Sequence, residues 1–200
     1  MTQETQTSSR DRIIHAAMTM FGEDPGARLS VRAVAARAGV STGSLRYHFP
    51  TQRALQDTVL AAIYDLITPG DLIHDRTVTA SERLIGCLRQ VLAVAGVGEQ
   101  ARAGWREIFK AYIEPEPTEE SRAAYLAIEQ EAHRRVEYWL TVLSDEGAIP
   151  EGDNGRRARY LETVLTGLSI ARALPSEESL LATETEILHA AVEHVLKQRL

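Results

Sequence analysis

Cysteine, aromatic residues and long apolar runs are all scarce in this chain of 200 residues. Cys87 is the single cysteine, which excludes an internal disulfide and a cysteine-based zinc cluster and favours a reducing, cytoplasmic location. The apolar runs are too short for a transmembrane helix, so no membrane partner is predicted. The polar start of the chain, MTQETQTSSRD, has no apolar stretch. It is predicted to be a disordered arm over residues 1–9 and not a secretory signal.

Basic residues are also fewer than acidic ones, and the formal net charge is −6. This value argues against a general nucleic-acid binder, but the charge is unevenly distributed. Residues 1–55 contain seven arginines and four acidic residues, whereas residues 56–200 contain 15 basic and 24 acidic residues. A basic end on an acidic body indicates an anionic partner for that end alone, although so small an excess could also arise by chance.

The motifs of common enzyme and cofactor sites are missing as well. The chain has no glycine-rich phosphate loop, no HExxH and no Ser-His-Asp context, so neither an enzyme nor a cofactor is predicted. Two groups of histidine and glutamate have a spacing that could suit metal ligands, but such groups are more often solvated charges, and no metal site is predicted. These groups are Glu129, His133 and Glu137, and His189, Glu193 and His194.

The chain does have apolar residues at helical spacing throughout its length. They recur three and four positions apart, with glycine and proline as breaks, and no segment alternates with a period of two. This pattern predicts an all-α fold of about nine helices, with a three-helix head over residues 10–55 and a larger helical body over residues 56–200. The predicted helices lie at about 10–22, 31–38, 42–49, 52–67, 79–96, 99–113, 118–145, 154–173 and 177–199.

Residues 30–49 have the pattern of two short helices joined by a tight turn. Ser30 and Ser41 are expected to cap the two helices, and Gly39 is expected to end the first one in a left-handed conformation. Thr51 is expected to cap the helix that follows. In a helix-turn-helix of this kind the second helix can enter the major groove of DNA. The same pattern would also suit a plain helical hairpin with a solvated face. Packing through Val31, Val34, Ala35, Ala38, Val40, Leu45 and Phe49 leaves Thr42, Gly43, Ser44, Arg46, Tyr47 and His48 facing outward.

The last two helices are apolar over an arc too wide for one buried side. A helix of this kind is buried on two fronts, and the second front in a chain of this size could be another subunit. Two helices from each subunit would then form a four-helix interface with twofold symmetry. A well-buried hairpin within one subunit is the alternative. The predicted interface residues are Leu161, Val164, Leu168, Ile187, Leu188, Ala191, Val192 and Val195.

The middle helices collect the aromatic residues of the body. Such residues ordinarily form core, yet buried tryptophan, tyrosine and cysteine also bring polar groups into an apolar wall, as in small-molecule pockets. A pocket of this composition would suit a small apolar or aromatic ligand. The candidate pocket residues are Leu60, Tyr64, Cys87, Leu88, Val91, Trp105, Phe109, Tyr112, Tyr125, Trp139 and Leu143.

The stretch RDRIIHAAMTMFGEDPGARLSVRAVAARAGVSTGSLRYHFPTQRAL resembles the DNA-binding domain of the tetracycline-repressor (TetR) family of bacterial transcription regulators. The resemblance covers residues 10–55, whereas residues 56–200 are similar only in helical architecture. The matching positions are Ile14, Ala17, Phe21 and Gly22 in the first helix, then 30–41 and 43–49.

This resemblance implies a regulator that binds a double-stranded DNA operator as a homodimer and is released by an inducer bound among the fourth to eighth helices. Repression is the expected mode, because a compact dimer on a promoter blocks polymerase without an activation surface. The alternative function is a helical protein-interaction adaptor whose basic end contacts an acidic protein.

The resemblance also implies which residues contact DNA. Arg46 is the expected base reader, Tyr47 and His48 are expected to bond phosphates, and Thr42 stands where relatives more often have lysine or arginine. The full set of predicted contact residues is Arg28, Ser30, Arg32, Ser41, Thr42, Gly43, Ser44, Arg46, Tyr47, His48 and Arg53.

Overall fold

A computed structural model describes residues 8–23, 29–65, 71–176 and 179–197. These ranges contain nine α-helices and no strand, which confirms the all-α prediction. None of these helices is both long and apolar enough to cross a membrane. The helices are α1 (Ser9–Glu23), α2 (Val31–Ala38), α3 (Thr42–His48), α4 (Gln52–Asp65), α5 (Ala80–Ala95), α6 (Glu99–Ile108), α7 (Glu119–Asp145), α8 (Asn154–Ala173) and α9 (Leu180–Lys197), with a 3-10 turn at Leu72–His74 and a π-turn at Phe109–Ile113.

Most of the predicted arm, Arg28, and the ends predicted for the fourth and last helices lie outside the described residues. Several helices in the described residues start at a side-chain cap, whereas α6 follows Gly98 and has none. The hydroxyl oxygens of Ser30, Ser41 and Thr51 each accept a backbone N–H from three residues later, at 3.0–3.2 Å. These bonds satisfy N–H groups that have no partner inside the helix, so the capping predicted from sequence is confirmed. The starts of α5, α7 and α8 are capped in the same way, by the side chains of Thr79, Thr118 and Asp153.

The chain divides into two compact units. The first contains α1 to α4 and the beginning of α9, and the second contains α5 to α8 and the rest of α9. In this division α4 lies in the first unit, because α4 packs on α1 and buries Leu55 and Val59.

The core of the first unit is formed where α1 packs against α2, α3 and α4. Val34 and Leu45 are fully buried there, whereas Val31, Ala38 and Val40, which were predicted on the same inner face, are only half-buried. The Arg10 guanidinium lies over the ring of Phe49, 5.6 Å from its centre, and adds a cation–π contact at the end of α3. The other buried apolar side chains that α1 to α4 and the residue before α2 contribute are Ile13, Ala16, Ala17, Phe21, Leu29, Ala35, Leu55 and Val59.

The core of the second unit is built from leucines of α5, α7 and α8, together with α9 residues. Three arginines are also buried in this unit, each at most 5% exposed. A buried guanidinium requires hydrogen-bond acceptors, and each of these arginines donates to carbonyl oxygens at a helix end or in a connection. Arg83 donates to Ile73 O, Arg157 to Pro150 O, and Arg172 to Leu92 O and Gly96 O.

Candidate nucleic-acid interface

The turn between α2 and α3 depends on Gly39. Its φ and ψ are 64° and 37°, a left-handed conformation that favours glycine. This conformation lets the Val40 N–H reach Ala35 O at 3.0 Å, so the end of α2 is closed by hydrogen bonds. The two helices and their turn therefore form the predicted helix-turn-helix.

The α3 helix has one buried face and one exposed face. Leu45 is fully buried and Phe49, just after the helix, is 3% exposed, which fixes the helix on the first unit. On the other face Thr42, Gly43 and Arg46 are exposed. Tyr47 is 83% exposed, and its ring lies edge-on to that of His48 with centroids 5.1 Å apart.

Most predicted DNA-contact residues with described side chains lie on or beside this outer face, and Ser44 and His48 are half-buried. Ser30 and Ser41 are exposed, and each cap leaves the hydroxyl hydrogen available for a phosphate oxygen. Gly43 has space beside it, since an added Cβ would meet only Ser41 Oγ, at 3.7 Å. The fold itself therefore does not require glycine at position 43.

The arginines of the first unit differ in their partners. Arg32 and Arg46 are exposed and form no ion pair within the described ranges. Arg53, one of the predicted DNA-contact residues, donates through Nε to Asp57 Oδ1 at 2.8 Å, and both side chains are largely buried. A phosphate would have to compete with Asp57 for Arg53. Asp57 was not foreseen, although its position four residues along the same helix suits such a pair.

The predicted pocket residues fall into two groups, and the first is core. Cys87, Leu88, Trp139 and Leu143 are buried in the second unit, and Val91 is half-buried. Burial raises the pKa of the Cys87 thiol to about 12, with a smaller contribution from Asp71, so the thiol stays protonated at neutral pH.

The second group lies at the surface, on the hairpin formed by the end of α6, the π-turn and the first half of α7. Trp105 and Tyr112 are half-buried, whereas Phe109 is 51% exposed and Tyr125 is 39% exposed. The rings of Tyr112 and Tyr125 touch, with centroids 5.2 Å apart. Residues 122–132 of α7 are exposed on all sides, which explains why this aromatic stripe is not core. The side chains of Leu60 and Tyr64 lie outside the described part.

Six of the eight residues predicted for a subunit interface are buried within the single chain. A side chain that its own subunit already covers has no surface left for a partner, so these six serve the core of the second unit. Ile187 is 38% exposed and Val164 is half-buried. The six buried residues are Leu161, Leu168, Leu188, Ala191, Val192 and Val195.

The histidine–glutamate group on α7 has a partner in α8. His133 Nδ1 lies 3.1 Å from Glu162 Oε2, and His133 Nε2 lies 3.9 Å from Glu137 Oε2. Across the described ranges no three histidine, cysteine or acidic side chains are placed to hold a metal ion.

Residues 13–58, which contain the whole helix-turn-helix, match the sequence profile described as bacterial regulatory proteins, tetR family. Over these residues the chain is similar to the TetR family of regulators. The match covers the DNA-binding domain of the family, and no curated protein matches the chain.

Several solved structures are similar to this chain over most of its length. A transcriptional regulator from Saccharomonospora viridis, in complex with choline, is 18% identical with a TM-score of 0.50, over 97% of this chain and 100% of that chain. A structure described as a TetR-family transcriptional regulator from Rhodococcus sp. is 24% identical with a TM-score of 0.46, over 94% and 98%. The ketosteroid transcriptional regulator KstR2 of Mycobacterium tuberculosis is 19% identical with a TM-score of 0.43, over 96% of each chain.

A substitution at Gly43 tests DNA contact without disturbing the fold. Gly43→Ala should keep the stability of the free protein or raise it by up to about 1 kcal/mol, because alanine favours helix and the site has room. DNA affinity should fall about tenfold if the backbone at Gly43 approaches DNA closely. Urea unfolding and a fluorescence-anisotropy titration measure the two effects.

The matched control is Gly104→Ala in α6, where an added Cβ meets nothing within 4 Å. It should leave DNA affinity unchanged. Equal affinities for Gly43→Ala and the unmodified protein would show that the backbone at position 43 does not approach DNA.

Proposed function

We propose that this protein is a dimeric transcriptional repressor that binds an inverted-repeat operator in double-stranded DNA and is released by a small-molecule inducer. The observation that carries the DNA-binding part is the two-sided α3 helix. Leu45 holds it from within while Thr42 and Arg46 are exposed on the outer face. The family match over the same residues supports this assignment.

The chemistry of the outer face suits base and phosphate contacts. An exposed arginine without an ion pair can donate two hydrogen bonds to the O6 and N7 atoms of guanine, which assigns base reading to Arg46. The hydroxyl groups of Ser30, Ser41 and Tyr47 can donate to phosphate oxygens and set the position of the helix on the duplex.

The direct test is selection of binding sites from a random DNA library with the purified full chain, followed by a gel shift in a salt series. A dimeric repressor selects an inverted repeat, and its retarded band weakens as salt rises. A protein-interaction adaptor would select no DNA sequence, and that result would contradict the proposed DNA-binding function.

Arg46→Ala should lower affinity for the selected operator by about 1–3 kcal/mol and relax the preference at one base pair of each half-site, because the guanine contact is lost. Anisotropy titrations against the operator and its single-base variants measure both effects. Arg102→Ala, an exposed arginine on α6 paired with Glu99, is the matched control and should change neither. Loss of affinity without loss of base preference would assign Arg46 to a phosphate instead.

The homodimer is proposed to form through the outward faces of α8 and α9. The centroid of the Tyr160 ring on α8 lies 5.2 Å from the centroid of the His194 ring on α9, so these two residues are neighbours across the two helices. Seven residues are about two helical turns, so Gly167 lies on the same face of α8 as Tyr160, and Ile187 lies on the same face of α9 as His194. Tyr160 and Ile187 are exposed in the single chain, and Gly167 has open space. Apolar and small residues on two neighbouring helices are what a four-helix interface needs.

Ile187→Arg should therefore convert the dimer to monomer, because a twofold axis places the new charge in the interface from both subunits. Sedimentation velocity over a concentration series measures the association. Ile128→Arg, which changes another exposed isoleucine on α7 (59% exposed), is the control and should leave the dimer intact. The opposite pattern would move the interface to α7.

An apolar or aromatic inducer is proposed to bind at the hairpin of α6, the π-turn and α7. Ile108, Phe109, Ile113, Tyr125, Leu126 and Ile128 are all exposed within this short stretch. Concentrated apolar surface of this kind is typical of binding sites, and single π-turns often occur at functional sites. The regulator from Saccharomonospora viridis with the same fold was solved in complex with choline, which supports a small-molecule role for such a body.

The two tryptophans allow a clean test of the inducer site. In a Trp139→Phe variant only Trp105, on the hairpin, fluoresces, so an inducer bound there should shift its emission in a screen of apolar and aromatic metabolites. Phe109→Ser in the same background should abolish the response. Ligands that release the operator without changing Trp105 emission would place the inducer elsewhere.

A further inference from the structure

The start of α1 is fixed by its own side chains. The backbone N–H of Asp11 donates to Ser8 Oγ at 3.2 Å, and the Ser8 hydroxyl donates to Asp11 Oδ2 at 2.7 Å. This reciprocal pair caps the helix. Arg10 is exposed and lies in the first turn, between the two members of the pair. The cap therefore gives the backbone that carries Arg10 a defined position.

The side chain of Arg10 is held against the residue that follows α3. Its guanidinium carbon lies 5.6 Å from the centre of the Phe49 ring, and Phe49 is 3% exposed. A guanidinium that contacts an aromatic ring through its face keeps its N–H edge available for an acceptor. Phe49 therefore fixes the position of Arg10 without using its hydrogen-bond donors.

Those donors have no acceptor in the described part of the chain. The Arg10 side chain makes no hydrogen bond or ion pair there, whereas Arg12 donates to Ser9 Oγ at 3.3 Å and Arg37 pairs with Glu23. A guanidinium presents its donors in a rigid fork that suits two oxygens of one phosphate. Arg10 thus combines a fixed position with the donors that a phosphate needs.

The place of Arg10 at the end of α3 gives it a different reach from the donors at the start of that helix. Ser41 caps the start of α3 and Phe49 follows its last residue, and the seven residues between them form about 10 Å of helix. The major groove of B-DNA is about 12 Å wide. Donors at the two ends of α3 can therefore reach different phosphates along the groove.

We infer that Arg10 is a further DNA-contact residue, which donates to a phosphate at the opposite end of α3 from Ser41 and is positioned for this contact by Phe49. The inference rests on the proposed function, because it concerns the same duplex. It adds a residue of α1 to a predicted contact set that begins at Arg28. A phosphate contact carries no base preference, so Arg10 contributes to the binding of any duplex.

The test is a salt series of anisotropy titrations with the full chain, on the selected operator and on a duplex of random sequence. Arg10→Gln should lower affinity for both duplexes about tenfold at low salt and reduce the slope of log K against log salt by about 1 for each subunit bound, because fewer counterions are released. Arg37→Gln, which removes the same charge from an exposed arginine of the same unit, is the matched control and should change neither.

A merely structural Arg10 gives a different result. Arg10→Gln would then lower the melting temperature of the free protein and leave the salt slope unchanged, and that outcome would overturn the inference. A changed base preference at one position of the operator would assign Arg10 to a base and overturn it as well. Arg10→Lys keeps a cation over the ring and should keep the slope of the unmodified protein, and a slope as low as that of Arg10→Gln would contradict the phosphate contact.

The role of Phe49 is measured by a double-mutant cycle. Phe49→Leu keeps an apolar side chain but removes the aromatic face, so it should lower DNA affinity more in the unmodified protein than in the Arg10→Gln background. Any effect on the packing of α3 is common to both backgrounds and cancels in the cycle. Equal effects in the two backgrounds would overturn the positioning role.

The proposed function is judged separately, by the DNA that the unmodified protein selects. If no sequence is selected, the proposed function fails, and the titrations on the random duplex at low salt still decide whether Arg10 contacts phosphate. If a sequence is selected and Arg10→Gln binds it as tightly as the unmodified protein, the inference alone fails. Absence of binding to any duplex would overturn both.

Discussion

The α3 helix depends on two buried side chains. A helix of seven residues is not stable in water by itself, because the cost of nucleation exceeds the few hydrogen bonds gained. Leu45 and Phe49, packed into the first unit, provide the stability that the sequence of α3 lacks, and the left-handed turn at Gly39 gives α3 its direction. The outer face takes no part in that packing. Its residues can therefore vary without loss of packing, and Arg46 and Tyr47 are exposed there.

Local chemistry explains why much of the fold could be predicted from the sequence. A serine or threonine before an apolar repeat starts a helix wherever the repeat is packed, so Ser30, Ser41 and Thr51 mark the starts of their helices correctly. Glycine at position 39 is favoured by backbone sterics alone. The two-sided character of α3 follows from the same helical periodicity. These signals act over a few residues and do not require knowledge of the remaining chain.

The sequence was less informative wherever burial depends on distant partners. Periodicity predicts that Leu161 and Val192 are covered, but it does not tell whether their own subunit or a second one covers them. The aromatic stripe on α6 and α7 has the same helical spacing as core, yet Phe109 is half exposed because residues 122–132 of α7 have no covering layer. The pairing of Arg83 with Glu146 joins positions 63 residues apart, and an arginine in an amphipathic helix looks like surface.

The buried arginines also determine which connections of the second unit can be altered. Arg157 donates to the carbonyl of Pro150, and Arg172 donates to two carbonyls at the end of α5, so a change of loop length there would remove acceptors from a buried guanidinium. The connection at residues 114–118 is different, because it is exposed throughout and no distant side chain bonds to it in the described structure. It is the place in this unit where an inserted epitope or a protease cut would leave the surrounding packing intact.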